Sequence, residues 1–241
     1  LKNPPVDAAI GFHVWNDIPA GKIGIKTGPV MATVNHLNVI ITGNIGHGAM
    51  PYQGRDSIVA AADFIQQVQN IITRKLDPRE NVVISFGKIN GGNVRNTVGG
   101  TVKLEGTIRT FDKVVIKKID GELRKIAEAL AIIHGVEIKV QNRETAPAVI
   151  NDPSMTDLAR KAAEQIVGGE NIIEIEPLMG SEDMSEFLNK VPGCYLLIGS
   201  GNEAGKFTPP HHNSKFDINE KCLGIGVRMA VSLIWSFLNE V

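Results

Sequence analysis

The sequence predicts an α/β protein with a smaller α+β module inserted into it. Three observations predict this. The runs 8–15 (AAIGFHVW) and 193–198 (GCYLLI) have the length and composition of buried strands. Amphipathic helical stretches accompany the second run toward the C-terminus. Between Met31 and about Glu144 the pattern reads strand, helix, strand, strand, helix, strand. The expected division is 1–30 and 146–241 for the larger part and 31–145 for the insertion.

The elements follow in order. The 8–15 strand is apolar except for His13 near its end, and 22–27 (KIGIKT) alternates like an edge strand. Gly28-Pro29 marks a boundary. A strand at 33–42 leads to a helix at 55–76, with Asp56 or Ser57 as N-cap. Its expected apolar stripe is Ile58, Ala61, Ala62, Ile65, Val68 and Ile72, and Asp77-Pro78 ends it. Strands at 81–89 and 101–110 flank a glycine-rich turn. A helix at 112–134 is closed by Gly135, and a strand follows at 136–140. This βαββαβ order implies a four-stranded antiparallel sheet with two helices on one face. So thin a layer calls for cover, and a second copy of the chain can supply it. Residues 145–152 read as a connector, and Asp152 caps a helix running to Val167. Residues 180–190 read as a short helix with an acidic first turn. The 193–198 strand follows, and then a helix at 217–239 with Ile218, Leu223, Val227, Ala230, Ile234 and Phe237 inward.

The chain has 241 residues, 43% hydrophobic and 21% charged, with a formal net charge of −1. That composition is ordinary for a globular protein and gives no electrostatic reason for a nucleic-acid or anionic-membrane partner. The βαββαβ strands also lack the paired exposed aromatics of an RNA-recognition sheet. No apolar run is expected to approach the roughly 18 residues that cross a bilayer, and the start LKNPPVD has no leader-like features. Cys194 and Cys222 each lie in apolar sequence and read as buried free thiols, which fits a reducing, cytoplasmic setting.

Polar residues cluster in four places, at His13, at His47 in 43–51, in the turn from Asn96 to Arg109 and in the loop 208–216, with Glu182 and Asp183 weighed beside them. The loop 208–216 (TPPHHNSKF) holds adjacent His211 and His212 behind a Pro-Pro turn that limits its freedom. Neutral imidazoles held in this way suit a divalent transition metal, and a solvent-facing loop is the plainer alternative. His13 reads either as a satisfied core histidine or as a ligand at the carboxyl end of a strand. His47, in GNIGHGAMP, is placed for an oxyanion among backbone amides, unless Gly46 and Gly48 merely make a turn. Arg109 is a solvated face or a carboxylate clamp. Glu182 and Asp183 complement a helix dipole by default.

Taken together, GFHVW, GHGAMP followed by GRDSI, NGGNVRNTVGGTVKLEGTIRTF, GSEDM and HHNSKFDINE resemble, in order and spacing, the M20 metallopeptidases. The likeness is greatest to the aminoacylase/amidohydrolase branch, which includes hippurate hydrolases, auxin-conjugate hydrolases and N-acetyl-diaminopimelate deacetylases. The resemblance implies a two-zinc α/β catalytic domain, zinc-peptidase-like, carrying a ferredoxin-like lid that dimerises. It implies metal-dependent hydrolysis of the amide bond of N-acyl amino acids or small amide conjugates. Two divalent ions serve a complete site, zinc first, with manganese, cobalt or nickel as alternatives. By position, His13 and His212 match the metal ligands, His212 standing four residues before Phe216, and His211 the residue before a ligand. His47 matches the lid histidine that stabilises the oxyanion, often in the partner subunit's site. Asn96 and Arg109 match the residues that hold the substrate's amide and carboxylate, and Glu182 a pocket-lining position. The family's upstream HxCGHD and Glu-Glu motifs do not occur in this sequence. The chain therefore reads as the lid plus C-terminal part of such an enzyme, partnered by an N-terminal segment and inactive alone. The rival reading is a non-catalytic dimerisation or binding module.

Overall fold

The computed structural model describes residues 1–202 and 209–240. It forms two compact units, one made of residues 1–31 with those from 149 onward, the other of Ala32–Ala148.

The first unit begins with β1 (Ala9–Pro19), β2 (Ile23–Ile25) and β3 (Gly28–Met31). The second contains β4 (Val34–Thr42), α1 (Ser57–Asn70), β5 (Val82–Gly91), β6 (Thr101–Thr110), α2 (Lys113–His134) and β7 (Glu137–Ala146). The first then resumes with β8 (Val149–Asn151), α3 (Pro153–Val167), β9 (Ile172–Glu174), α4 (Ser185–Leu188), β10 (Gly193–Gly201) and α5 (Lys221–Glu240).

In the first unit a mixed sheet runs β1-β10-β2-β9, and β3 pairs separately with β8. β10 is buried at every position, as its continuous apolar sequence requires of a strand covered on both faces. Cys194, Leu196 and Ile198 meet the inner sides of α3 and α5 through Leu158, Ala162, Ile225, Met229 and Leu233. Tyr195 and Leu197 point the other way, toward Ile18, Val30 and Val149, with Trp15 packed against them.

In the second unit the sheet order is β5-β6-β4-β7, antiparallel throughout. Leu37, Val39, Ile41, Val102, Leu104 and Ile108 face α1 and α2 and close a core with Phe64, Ile119 and Leu123. The opposite sheet face carries His36, Asn38, Glu105, Thr107 and Arg109, as period-two alternation dictates.

Several expectations are corrected. Strand β2 lies inside its sheet, not at an edge, because Ile23 and Ile25 are both fully buried between β10 and β9. Strand β1 continues past Trp15 to Pro19, which puts His13 mid-strand. The supposed connector at 145–152 contains the end of β7 and all of β8. Helix α1 buries Ala60, Ala61, Phe64 and Val68 and leaves Ile58 45% exposed, so its stripe is rotated from the expected one. Asp56 is its N-cap, accepting from the Ile58 amide at 2.9 Å.

Helix α5 starts at Lys221 and buries Cys222, Ile225, Met229 and Leu233, whereas Leu223, Val227 and Ile234 are more than half exposed. Its surface is apolar nearly all round, so periodicity does not single out a face. Lys221–Asn239 is long and apolar enough, by length and composition, to cross a bilayer, contrary to the sequence expectation. Here Met229 and Leu233 are fully buried in the core of the first unit.

Candidate active site

His13 stands on β1 opposite Leu197 of β10. Its neighbours Phe12 and Val14 pack toward α3 and α5, so alternation turns Gly11, His13 and Trp15 to the other sheet face, which Tyr195 shares. The His13 Nδ1 lies 2.6 Å from the Val14 carbonyl oxygen. A carbonyl only accepts, so Nδ1 carries the proton and the Nε2 lone pair is left for a ligand. Metal-bound histidines are oriented in this way, with one ring N–H on a carbonyl and the other nitrogen on the ion.

The histidine loop folds against this strand. Its first residue, Thr208, lies outside the described residues. Amides of Asn213 and Phe216 donate to the carbonyls of Pro210 and Asn213, at 3.1 and 2.9 Å, which winds the loop into successive turns. The His211 ring sits 5.3 Å from that of His13, 4.5 Å from Trp15 and 5.0 Å from Phe216. Its Nε2 donates to the same Val14 oxygen at 3.0 Å. His212 is exposed and has φ +66°, the single positive φ outside glycine among the described residues. Histidine is among the non-glycine residues that occupy this left-handed region more readily than most.

Glu182 precedes α4 instead of lying in its first turn, which corrects the expected capping role. One carboxylate oxygen accepts from the Tyr195 hydroxyl at 2.8 Å and the other from the Asp183 amide at 3.0 Å. Burial, and then this bond to Glu182, push the Tyr195 hydroxyl above the ordinary phenol range, so it stays a proton donor. Tyr195 stands beside Gly11, two residues before His13 on the same face.

In the second unit, the loops at 43–54 and 92–100 zip together. The Gly48 amide donates to the Asn96 carbonyl at 2.7 Å, the Val98 amide to the Gly46 carbonyl at 3.0 Å, and His47 bridges Thr97. This brings His47 and Asn96 together at one end of β6. His47 Nδ1 accepts from the Ala49 amide at 3.1 Å, so the neutral ring carries its proton on an exposed Nε2. His47 thus presents a donor where His13 presents an acceptor. Half-buried Arg109 lies on the open sheet face, eight residues along β6 from Thr101, or about 26 Å at strand rise.

The residues not foreseen are Asn16, Tyr195 and the placement of His211. A polar Asn just past the apolar run was the available signal for Asn16.

A family model for Peptidase family M20/M25/M40 matches residues 1–236. The chain belongs to that family. Among its relatives, thermostable carboxypeptidase 1 of Saccharolobus solfataricus is 32% identical over 98% of this chain and 59% of its own length. N-acetyldiaminopimelate deacetylase of Lactobacillus acidophilus is 34% identical over 92% of this chain and 57% of its own. The Bacillus subtilis YXEP protein, a dinuclear metal binding peptidase from the M20 family, superposes with a TM-score of 0.78 at 28% identity, covering 95% of this chain and 56% of that one. The chain therefore spans less than three-fifths of the length of each of these proteins. Among the described residues no group of three or more His, Cys, Asp or Glu side chains could hold an ion, while His13 keeps a free lone pair.

Proposed function

We propose that this chain is the lid and C-terminal catalytic portion of a metal-dependent amidohydrolase that cleaves N-acyl amino acids or small amide conjugates. One observation carries the reading. His13, whose Nδ1–H is bound by the Val14 carbonyl, presents an unprotonated Nε2 on the face where the histidine loop lies. The carboxypeptidase and the N-acetyldiaminopimelate deacetylase, as named, both break an amide bond, which supports the substrate class.

His13 and His212 hold metal, and further ligands and the general base come from an N-terminal segment of the same enzyme. When bound, two divalent ions, zinc first among them, supply Lewis-acid polarisation and a nucleophile usable at neutral pH. The chain's own residues do the rest. The His47 Nε2–H donates to the carbonyl oxygen as it gains charge. Arg109 pairs with the substrate carboxylate, Asn96 holds the amide, and Glu182 lines the pocket. Arg109 lies about 26 Å along β6 from Thr101, the end of the strand where His47 and Asn96 gather, which favours their meeting a substrate from different copies. A homodimer built through the insertion solves this, one copy supplying His47 and Asn96 and the other Arg109. The two buried thiols fit a cytoplasmic setting.

The test uses the complete polypeptide. Metal content and hydrolysis of N-acetyl amino acids are measured before and after His13→Ala and His212→Ala. Each variant is expected to lose metal and turnover, and undiminished values overturn the reading. That no group of three or more His, Cys, Asp or Glu side chains among the described residues could hold an ion favours a second reading, a non-catalytic dimerisation or binding module. In that case the complete polypeptide dimerises but binds no metal.

A further inference from the structure

Asn16 is 8% exposed, three residues after His13 on β1. Its carboxamide is used at both ends. Oδ1 accepts a hydrogen bond from the Ser200 hydroxyl on β10. Nδ2 donates to the Asp217 carbonyl at 2.9 Å and reaches the Pro209 carbonyl at 3.5 Å. Pro209 and Asp217 bracket the histidine loop. One side chain, rooted on the strand that bears His13, therefore ties down both ends of the segment that bears His211 and His212. The backbone supports it, because the Asn219 amide donates to the Ser200 carbonyl at 2.9 Å.

We infer that Asn16 is a positioning residue that sets where the loop histidines stand relative to His13. Only a carboxamide satisfies these partners. The two loop carbonyls need N–H donors and the Ser200 hydroxyl needs an acceptor, within one short side chain. Aspartate has the same shape but sets carboxylate oxygens against carbonyl oxygens in a buried place. Residues that orient ligands from behind typically govern metal affinity by about tenfold to hundredfold. The inference rests on the metal site proposed above.

The test compares Asn16→Asp and Asn16→Ala in the complete polypeptide, the second removing the amide without adding charge. Thr156→Val serves as the control. Thr156 is fully buried in α3, where its hydroxyl donates to the Asp152 carbonyl and accepts from the Cys194 thiol. Cobalt(II) affinity, the visible cobalt band and amide hydrogen exchange of the metal-free protein are read together. Both Asn16 variants are expected to weaken cobalt binding by about tenfold or more, shift the band, and speed exchange at Asn213 and Phe216. Thr156→Val is expected to lower the unfolding midpoint while keeping affinity within about twofold. Wild-type affinity in both Asn16 variants, or an equal loss in Thr156→Val, overturns the inference. If His13→Ala binds cobalt as wild type does, the parent metal site falls too, which separates the two failures.

Discussion

The imidazoles of His13 and His211 lie 5.3 Å apart at an interplanar angle of 62°, and both direct a ring nitrogen at the Val14 carbonyl oxygen. One backbone acceptor therefore sets the protonation of two rings. His13 is left with a lone pair on Nε2 and His211 with one on Nδ1. In the other unit the Ala49 amide sets His47 the opposite way. The backbone thus sets which ring nitrogen of each imidazole accepts and which donates.

The separation of His47 and Asn96 from Arg109 along β6 gives the first prediction. His47→Ala and Arg109→Ala are each expected to be nearly inactive in the complete enzyme. Mixed and reassorted, they should recover about a quarter of wild-type turnover, because half the dimers are hybrids with one intact site each. No recovery on mixing would show that a single copy supplies all three residues.

A Cβ at Gly48 would come within 2.9 Å of the Asn96 backbone carbonyl group. Gly48→Ala should therefore part the two loops and displace His47 from Asn96. Turnover is expected to fall by about tenfold or more, with metal content unchanged. Atomic emission on the purified variant, alongside its kinetics, separates this outcome from loss of the metal centre.

Cys194 is fully buried, and burial pushes its thiol up to about 12. It should resist iodoacetamide at pH 8 in the folded protein and react once denaturant unfolds it. Mass spectrometry of labelled peptides with and without guanidinium reads this directly, and rapid native labelling would contradict the packing of α3 on β10.

Asp152 caps α3, accepting from the Met155 amide at 3.1 Å and from the Ser154 hydroxyl at 2.6 Å. Those bonds, the Ser154 one first, hold its carboxyl below the ordinary aspartate value. A depressed folded value means that the stabilisation is present above the unfolded pKa near 4 and is lost as pH falls through the folded one. Asp152→Ala should cost about 1 kcal/mol at pH 7, and the gap to wild type should close in strong acid. Urea unfolding across pH checks both statements.

Much of this was legible in the sequence because periodicity reports packing. The βαββαβ order, the Asp56 and Asp152 caps and the all-buried β10 each follow from local chemistry that tertiary contacts reinforce. What was not legible depends on neighbours. KIGIKT alternates as an edge strand does, yet β9 covers its far side. The apolar surface of α5 conceals which side faces inward. Glu182 looked like a dipole partner until Tyr195, thirteen residues on, supplied its hydrogen bond. Asn16 gives no sign in the sequence of the two loop carbonyls it holds, because they come from nearly two hundred residues away.

Among the described residues strand β1 pairs with β10, Ala9 aligning with Gly193, while every strand of the second unit pairs within Val34–Ala146. On the ribosome, then, the inserted unit is complete before β10 has been made. The early strand, with Phe12 and Val14 uncovered, waits through the synthesis of an entire neighbouring domain.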